Sequence, residues 1–134
     1  MADSAPNFKI GEIFEDAELH AVEYAGTIKA GDPLKITGRN AEGLAKVQKQ
    51  TTTLKVRYCA VYDGESGLIT DALFKGTTKL KAAVKWGAGA DIAALAGEFR
   101  IWTTGTSSAP CGFSYGAEAA NDDTGLVYFH GSVN

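Results

Sequence analysis

Gly31-Asp32-Pro33-Leu34-Lys35-Ile36-Thr37-Gly38-Arg39-Asn40 places one short alternating run between two turn-forming clusters. In an extended chain Leu34 and Ile36 fall on one side, and Lys35 and Thr37 on the other. The run is therefore a strand with one face on a core and one face in water. Its flanks, Gly-Asp-Pro and Gly-Arg-Asn, are rich in residues suited to turns. The same rhythm recurs outward. Leu54-Lys55-Val56-Arg57-Tyr58 alternates, as does Phe99-Arg100-Ile101. Leu80, Ala82, Val84 and Trp86 interleave with Lys79, Lys81, Ala83 and Lys85. Leu126-Val127-Tyr128-Phe129 is apolar throughout and is expected to be a strand buried on both faces. The only helix-like stretch, Ala90 to Ala96, is too short to be stable without packing and is expected as one turn or a loop. The predicted fold class is all-β: a compact barrel- or tulip-like antiparallel domain with at most one short helix and an extended N-terminal arm.

The chain has 134 residues, enough for one domain with a real core. A hydrophobic share of 45% and a charged share of 22% are those of a globular protein and argue against disorder. Its 16 glycines fit many turns between short strands. A net charge of −3 excludes a dedicated DNA or RNA binder, which neutralises phosphates with surplus Lys and Arg. No apolar run is long enough for a transmembrane helix. Met1-Ala2-Asp3-Ser4-Ala5-Pro6 lacks the basic and apolar regions of a secretory signal, so no export by that route is expected.

Two domain-level features stand out. Residues 1–15 form an arm, with Phe8, Ile10, Ile13 and Phe14 as its apolar groups among charged neighbours. Phe8-Lys9-Ile10 alternates as a short strand does. Residues 16–134 form a single β-rich body. Within it the chain echoes itself across two units, about 21–64 and 83–131. Ala21-Val22-Glu23-Tyr24 resembles Ala83-Val84-Lys85-Trp86, and Ala30-Gly31-Asp32 resembles Ala96-Gly97-Glu98. Cys59-Ala60-Val61-Tyr62-Asp63-Gly64 resembles Cys111-Gly112-Phe113-Ser114-Tyr115-Gly116. Reused turn chemistry and a duplicated β unit both account for such echoes.

Motifs that could carry chemistry lack the context that the chemistry needs. Gly112-Phe113-Ser114-Tyr115-Gly116 matches a nucleophile elbow, and Asp122, Asp123 and His130 follow in order. The elbow requires a buried strand before the serine and a helix after it. Here Thr103-Thr104-Gly105-Thr106-Ser107-Ser108-Ala109-Pro110 precedes, and small and acidic residues follow. Asp123-Thr124-Gly125 matches the aspartic-protease triplet, but Ala120-Asn121-Asp122 before it is a turn and not an apolar strand. Gly87-Ala88-Gly89 has Ile92 where a dinucleotide fingerprint needs its third glycine. Cys59 and Cys111 are too isolated for a zinc site and are expected as small buried groups. His20 and His130 have no nearby second ligand, and Glu118, Asp122 and Asp123 lack a calcium-loop ladder. The expectation is no enzyme: no catalytic residue, no cofactor and no metal. Lys46, Lys49, Lys55, Arg57, Lys75, Lys79, Lys81 and Lys85 crowd the middle third, as a solubilising face or one that meets an acidic protein.

One resemblance adds to this. The run from Gly26 through Thr27-Ile28-Lys29-Ala30-Gly31-Asp32-Pro33-Leu34-Lys35-Ile36-Thr37 to Gly38, then Gly-rich loops and Gly125-Leu126-Val127-Tyr128-Phe129-His130-Gly131, resembles small capsid decoration (cement) proteins of tailed bacterial and archaeal viruses. That resemblance covers about half of the chain. It implies a β-rich body, homotrimers at local symmetry axes, and a terminal arm on the major capsid protein. It also implies a place on the virion surface after assembly in the host cytoplasm, and a role in stabilising the shell. The partner-binding residues expected on this reading are Phe8, Ile10, Ile13 and Phe14. Two other classes remain. One is a carbohydrate- or small-ligand-binding β module using Trp86, Trp102 or Tyr115 as a stacking platform. The other is a small hydrolase using Ser114.

Overall fold

The computed structural model describes residues 13–51, 55–102, 110–115, 120 and 123–132. The described chain is all-β, with no helix among the described residues. Its strands are β1 (Glu18–Tyr24), β2 (Pro33–Arg39), β3 (Ala45–Lys49), β4 (Tyr58–Ala60), β5 (Ile69–Lys81), β6 (Asp91–Leu95), β7 (Glu98–Ile101), β8 (Gly112–Ser114) and β9 (Thr124–Phe129). They join in one sheet ordered β1-β3-β2-β4-β5-β9-β8-β6-β7, with a further β1–β5 pairing. All pairings are antiparallel except β1–β3, which is parallel.

The long strand β5, of 13 residues, belongs to two rings of strands. In the first ring the ladder runs β1, β3, β2, β4, β5 and returns to β1. In the second it runs from the later half of β5 through β9, β8 and β6 to β7. That ring closes just past β5, where Ala83 N donates to Phe99 O at 2.9 Å.

The two rings repeat one pairing scheme. Leu34 faces Lys49 as Ile92 faces Ile101, at offsets of 58 (92 − 34) and 52 (101 − 49). Pro33 faces Cys59 as Asp91 faces Phe113, at offsets of 58 (91 − 33) and 54 (113 − 59). Cys59 faces Leu73 as Phe113 faces Tyr128, and Val22 faces Thr70 as Leu80 faces Gly125, at 55 (128 − 73 and 125 − 70) for β5 against β9. The sequence echoes align differently. Val22 corresponds to Leu80 and not Val84, and Cys59 to Phe113 and not Cys111.

Each ring is filled by its inward positions. Val22, Tyr24, Ile28, Leu34, Val47 and Ala72 pack inside the first. Leu80, Ala82, Trp86, Ile92, Phe99 and Val127 pack inside the second. Burying each larger side chain is worth about 1.5–3 kcal/mol before entropy is subtracted. The outward-facing Cys59 and Leu73 of the first ring, with Val56, also join the second core, and this fastens the two rings together.

Several expectations need correction. Ala90 to Ala96 is neither a helical turn nor a loop: Asp91–Leu95 is strand β6, held between β7 and β8. Alanine adapts to a strand where packing demands a small side chain, and tertiary contacts override its helix preference. The alternation from Leu80 to Trp86 does not stay a strand, because β5 ends at Lys81 and Ala83 turns to β7. Residues 55–57 do not extend β4, because Val56 pairs with the C-terminal segment. Its N–H donates to Ser132 Oγ at 2.9 Å, and its carbonyl accepts from Ser132 N at 2.7 Å. In β9, Val127 and Phe129 are buried while Leu126 and Tyr128 are half-buried, so only one face of that strand is core.

The β6–β7 connection is a two-residue hairpin turn. Ala96 and Gly97 both have positive φ, 54° and 84°. Such turns favour Asn or Gly at the first position, and alanine there carries strain of about 1 kcal/mol. Ala96→Gly should therefore raise the melting temperature by a few degrees in a thermal unfolding scan. A lower melting temperature would show the strain to be absent.

Candidate functional site

Of the expected partner-binding residues, Phe8 and Ile10 lie outside the described residues. Ile13 lies against the body, and Phe14 is partly buried. Ile13 forms an antiparallel bridge to Thr78 and packs on the second core. Phe14 O accepts the Ala17 N–H at 3.1 Å. Asp16 then fastens the segment to β5, accepting from Thr77 N at 2.9 Å and from Thr77 Oγ1 at 2.7 Å. Two hydrogen bonds accepted by one carboxylate at a partly buried contact hold firmly. Residues 13–17 thus belong to the body, beside β5.

The hydrolase residues are not brought together. Ser114 is 3% exposed and faces Val127 across the β8–β9 ladder. His130 lies just past the end of β9, three residues beyond Val127. Its Nδ1 lies 2.7 Å from Gly131 O. Asp123 is exposed at the start of β9, where its carbonyl accepts the Ala82 N–H at 2.8 Å. Among the described residues no group of three His, Cys, Asp or Glu could hold a metal ion.

Cys59 and Cys111 are buried and unpaired. Burial pushes the Cys59 thiol well above its ordinary range and the Cys111 thiol up to about 12. Since the thiolate is the reactive form, neither should react with iodoacetamide in the native protein at mildly alkaline pH. Both should react in denaturant, as mass spectrometry would show. Fast native alkylation of either would contradict this placement.

A half-open cleft lies where the rings meet. Ala30, Gly31, Asp32, Gly97, Glu98 and Phe99 line it, together with Lys49 and Lys81. Residues of both Ala-Gly-acidic turns that echo each other in sequence thus line one cleft. Lys49 Nζ sits 3.7 Å from Asp32 Oδ1. Burial raises the Asp32 carboxyl despite this cation and the Lys29 N–H at 2.9 Å. Of the other cations, Arg57 donates to Ser132 O, and Lys75 lies 5.7 Å from the Phe74 ring centroid.

The proposed stacking residues divide. Trp86 is 2% exposed and belongs to the core, so it is no platform. Tyr115 is 61% exposed and touches an aromatic cluster on the outer side of the second ring. Phe113 and Tyr128 stack at 5.4 Å and 30°, and Tyr115 lies 6.3 Å from Phe113 and 6.5 Å from Tyr128. Registers extend this cluster into a row across five segments: Trp102, Asp91, Phe113, Tyr128 and Thr77. Sequence reasoning missed the row because its members lie on strands far apart in the chain. In the first ring Ile36, in the middle of β2, is 47% exposed.

No family model and no curated protein matches this sequence. A solved structure does: the N base of the head fiber gp8.5 of bacteriophage phi29, at TM-score 0.63 and 12% identity. This chain has the fold of that fiber base. The match covers 88% of this chain and 98% of that one, so it takes in both rings and not one sheet motif. At that identity the likeness speaks for the fold and carries over no binding residue.

Proposed function

We propose that this chain is a non-enzymatic structural protein of a tailed-virus particle, a decoration protein that sits on the outer capsid and stabilises the shell. The observation that carries the reading is the fold shared with a phage head-fiber base along nearly the whole of both chains. The scattering of Ser114, Asp123 and His130 fits it, since it leaves this trio without hydrolytic geometry. On this reading the partner is the major capsid protein, and the protein acts as a homotrimer. The arm makes the contact by adding as a strand to an exposed sheet edge, with Phe8 and Ile10 filling pockets and Ile13 and Phe14 rooting the arm on the body. Co-sedimentation with shells assembled without the protein tests the reading. The full chain should pellet with shells saturably and raise their melting temperature. A chain that stays in the supernatant at all shell concentrations would contradict it.

A further inference from the structure

The repeated pairing scheme says what the aromatic row is for. In the first ring the row corresponding to Trp102-Asp91-Phe113-Tyr128-Thr77 is Gln50-Pro33-Cys59-Leu73-Leu19. That row is the surface by which the first ring seats on the second. Gln50 is 1% exposed, Cys59 1% and Leu73 0%. Gln50 Nε2 donates to Ala94 O, and Gln50 Oε1 accepts from Gly97 N, both at 3.3 Å. The receiving end of the second ring includes Thr78, Ala94, Gly112 and Phe129, all buried.

In the first ring the positions corresponding to that receiving end are His20, Ile36, Tyr58 and Phe74. At the same offsets these are 78 − 58, 94 − 58, 112 − 54 and 129 − 55. They remain uncovered in part. Ile36 is 47% exposed, and the His20 and Phe74 rings stack at 4.3 Å at an intermediate depth. Among the described residues, the row from Trp102 to Tyr128 and this ring end lack the neighbour that their counterparts have inside the chain, while Thr77 at the end of the row is held by Asp16. Both are apolar at the centre. Asp91 stands exposed in the row, and at the ring end Lys75 lies by Phe74 and Glu18 lies 3.0 Å from His20.

We infer that a second copy of this chain docks its first-ring end, around Ile36 and Phe74, onto the row Trp102-Phe113-Tyr128 with Tyr115 at its margin. The contact is head-to-tail, with different surfaces on the two copies, and it repeats the seating of ring on ring. It rests on the registers and burial alone, so its failure would leave the proposed capsid role standing. The stacked Phe113 and Tyr128 rings cover each other's faces, which leaves little for a sugar to stack on and suits an apolar protein partner better.

Sedimentation velocity on the full chain, with Ile36→Lys and Tyr115→Glu variants, tests this, and Trp102→Ser serves as a second row variant if Tyr115→Glu is misfolded by circular dichroism. The parent should sediment as an oligomer. Each variant should associate more weakly by about tenfold or more, the effect of losing an anchor near an interface centre. An equal mixture of Ile36→Lys with a row variant should give a heterodimer and nothing larger, because each partner keeps one intact surface. A monomeric parent, a folded variant that keeps the parent's size, or a mixture that stays monomeric would each overturn the inference. So would a monomer that binds a soluble glycan through Tyr115.

Discussion

Gly76→Val should lower the melting temperature by roughly 10 °C, from a loss of about 3 kcal/mol. Gly76 sits in β5 where the strand passes from one ring to the other, with φ of 138°, a region that residues with a side chain rarely adopt. A Cβ there would also lie 2.8 Å from Ala17 Cα. Ala17 cannot retreat freely, because Asp16 is bound to Thr77 and Ala17 N donates to Phe14 O. Strain and collision therefore add. Adding Asp16→Ala should relieve the collision and leave the strain, so the double variant should lose less than the sum of the singles. Additive losses would show that the segment from Ile13 to Ala17 does not press on β5.

Deleting residues 2–12 should leave the melting temperature nearly unchanged and weaken shell binding by more than about tenfold. The cut spares Ile13, which bridges to Thr78, and Asp16, which bonds to Thr77. It removes Phe8 and Ile10, each worth about 1.5–3 kcal/mol when buried on a partner before ordering costs. Deletion through residue 14 should cost stability as well, because Ile13 packs on the second core. Full shell binding by the 2–12 deletion would remove the arm from the contact.

Strands that lie on the outside of a ring with one wet face were legible. Phe99-Arg100-Ile101 became β7 with Phe99 buried, and Leu34-Lys35-Ile36-Thr37 became β2, but of its two apolar residues only Leu34 is buried, while Ile36 lies 47% exposed at the open end of the ring. The strand β5 was legible only at its end. It borders both rings, so Ala72-Leu73 and Gly76-Thr77-Thr78 are buried in consecutive positions and alternation is lost. The alanines of β6 hid a strand because small side chains are what the junction with Gln50 admits. The repeat was visible as echoes but misaligned, since the structure conserves hydrogen-bond register and places Leu80 where Val22 stands. The aromatic row could not be read at all, because Trp102, Phe113 and Tyr128 fall in one row only through pairing across β6, β8 and β9.

The most direct measurement of the central claim is quantitative mass spectrometry of purified particles of the tailed virus that, on the proposed reading, encodes this chain. The chain should be present in a fixed ratio to the major capsid protein and should persist through density-gradient purification. Particles that lack it, with the protein left in the soluble lysate, would contradict a structural role in the virion.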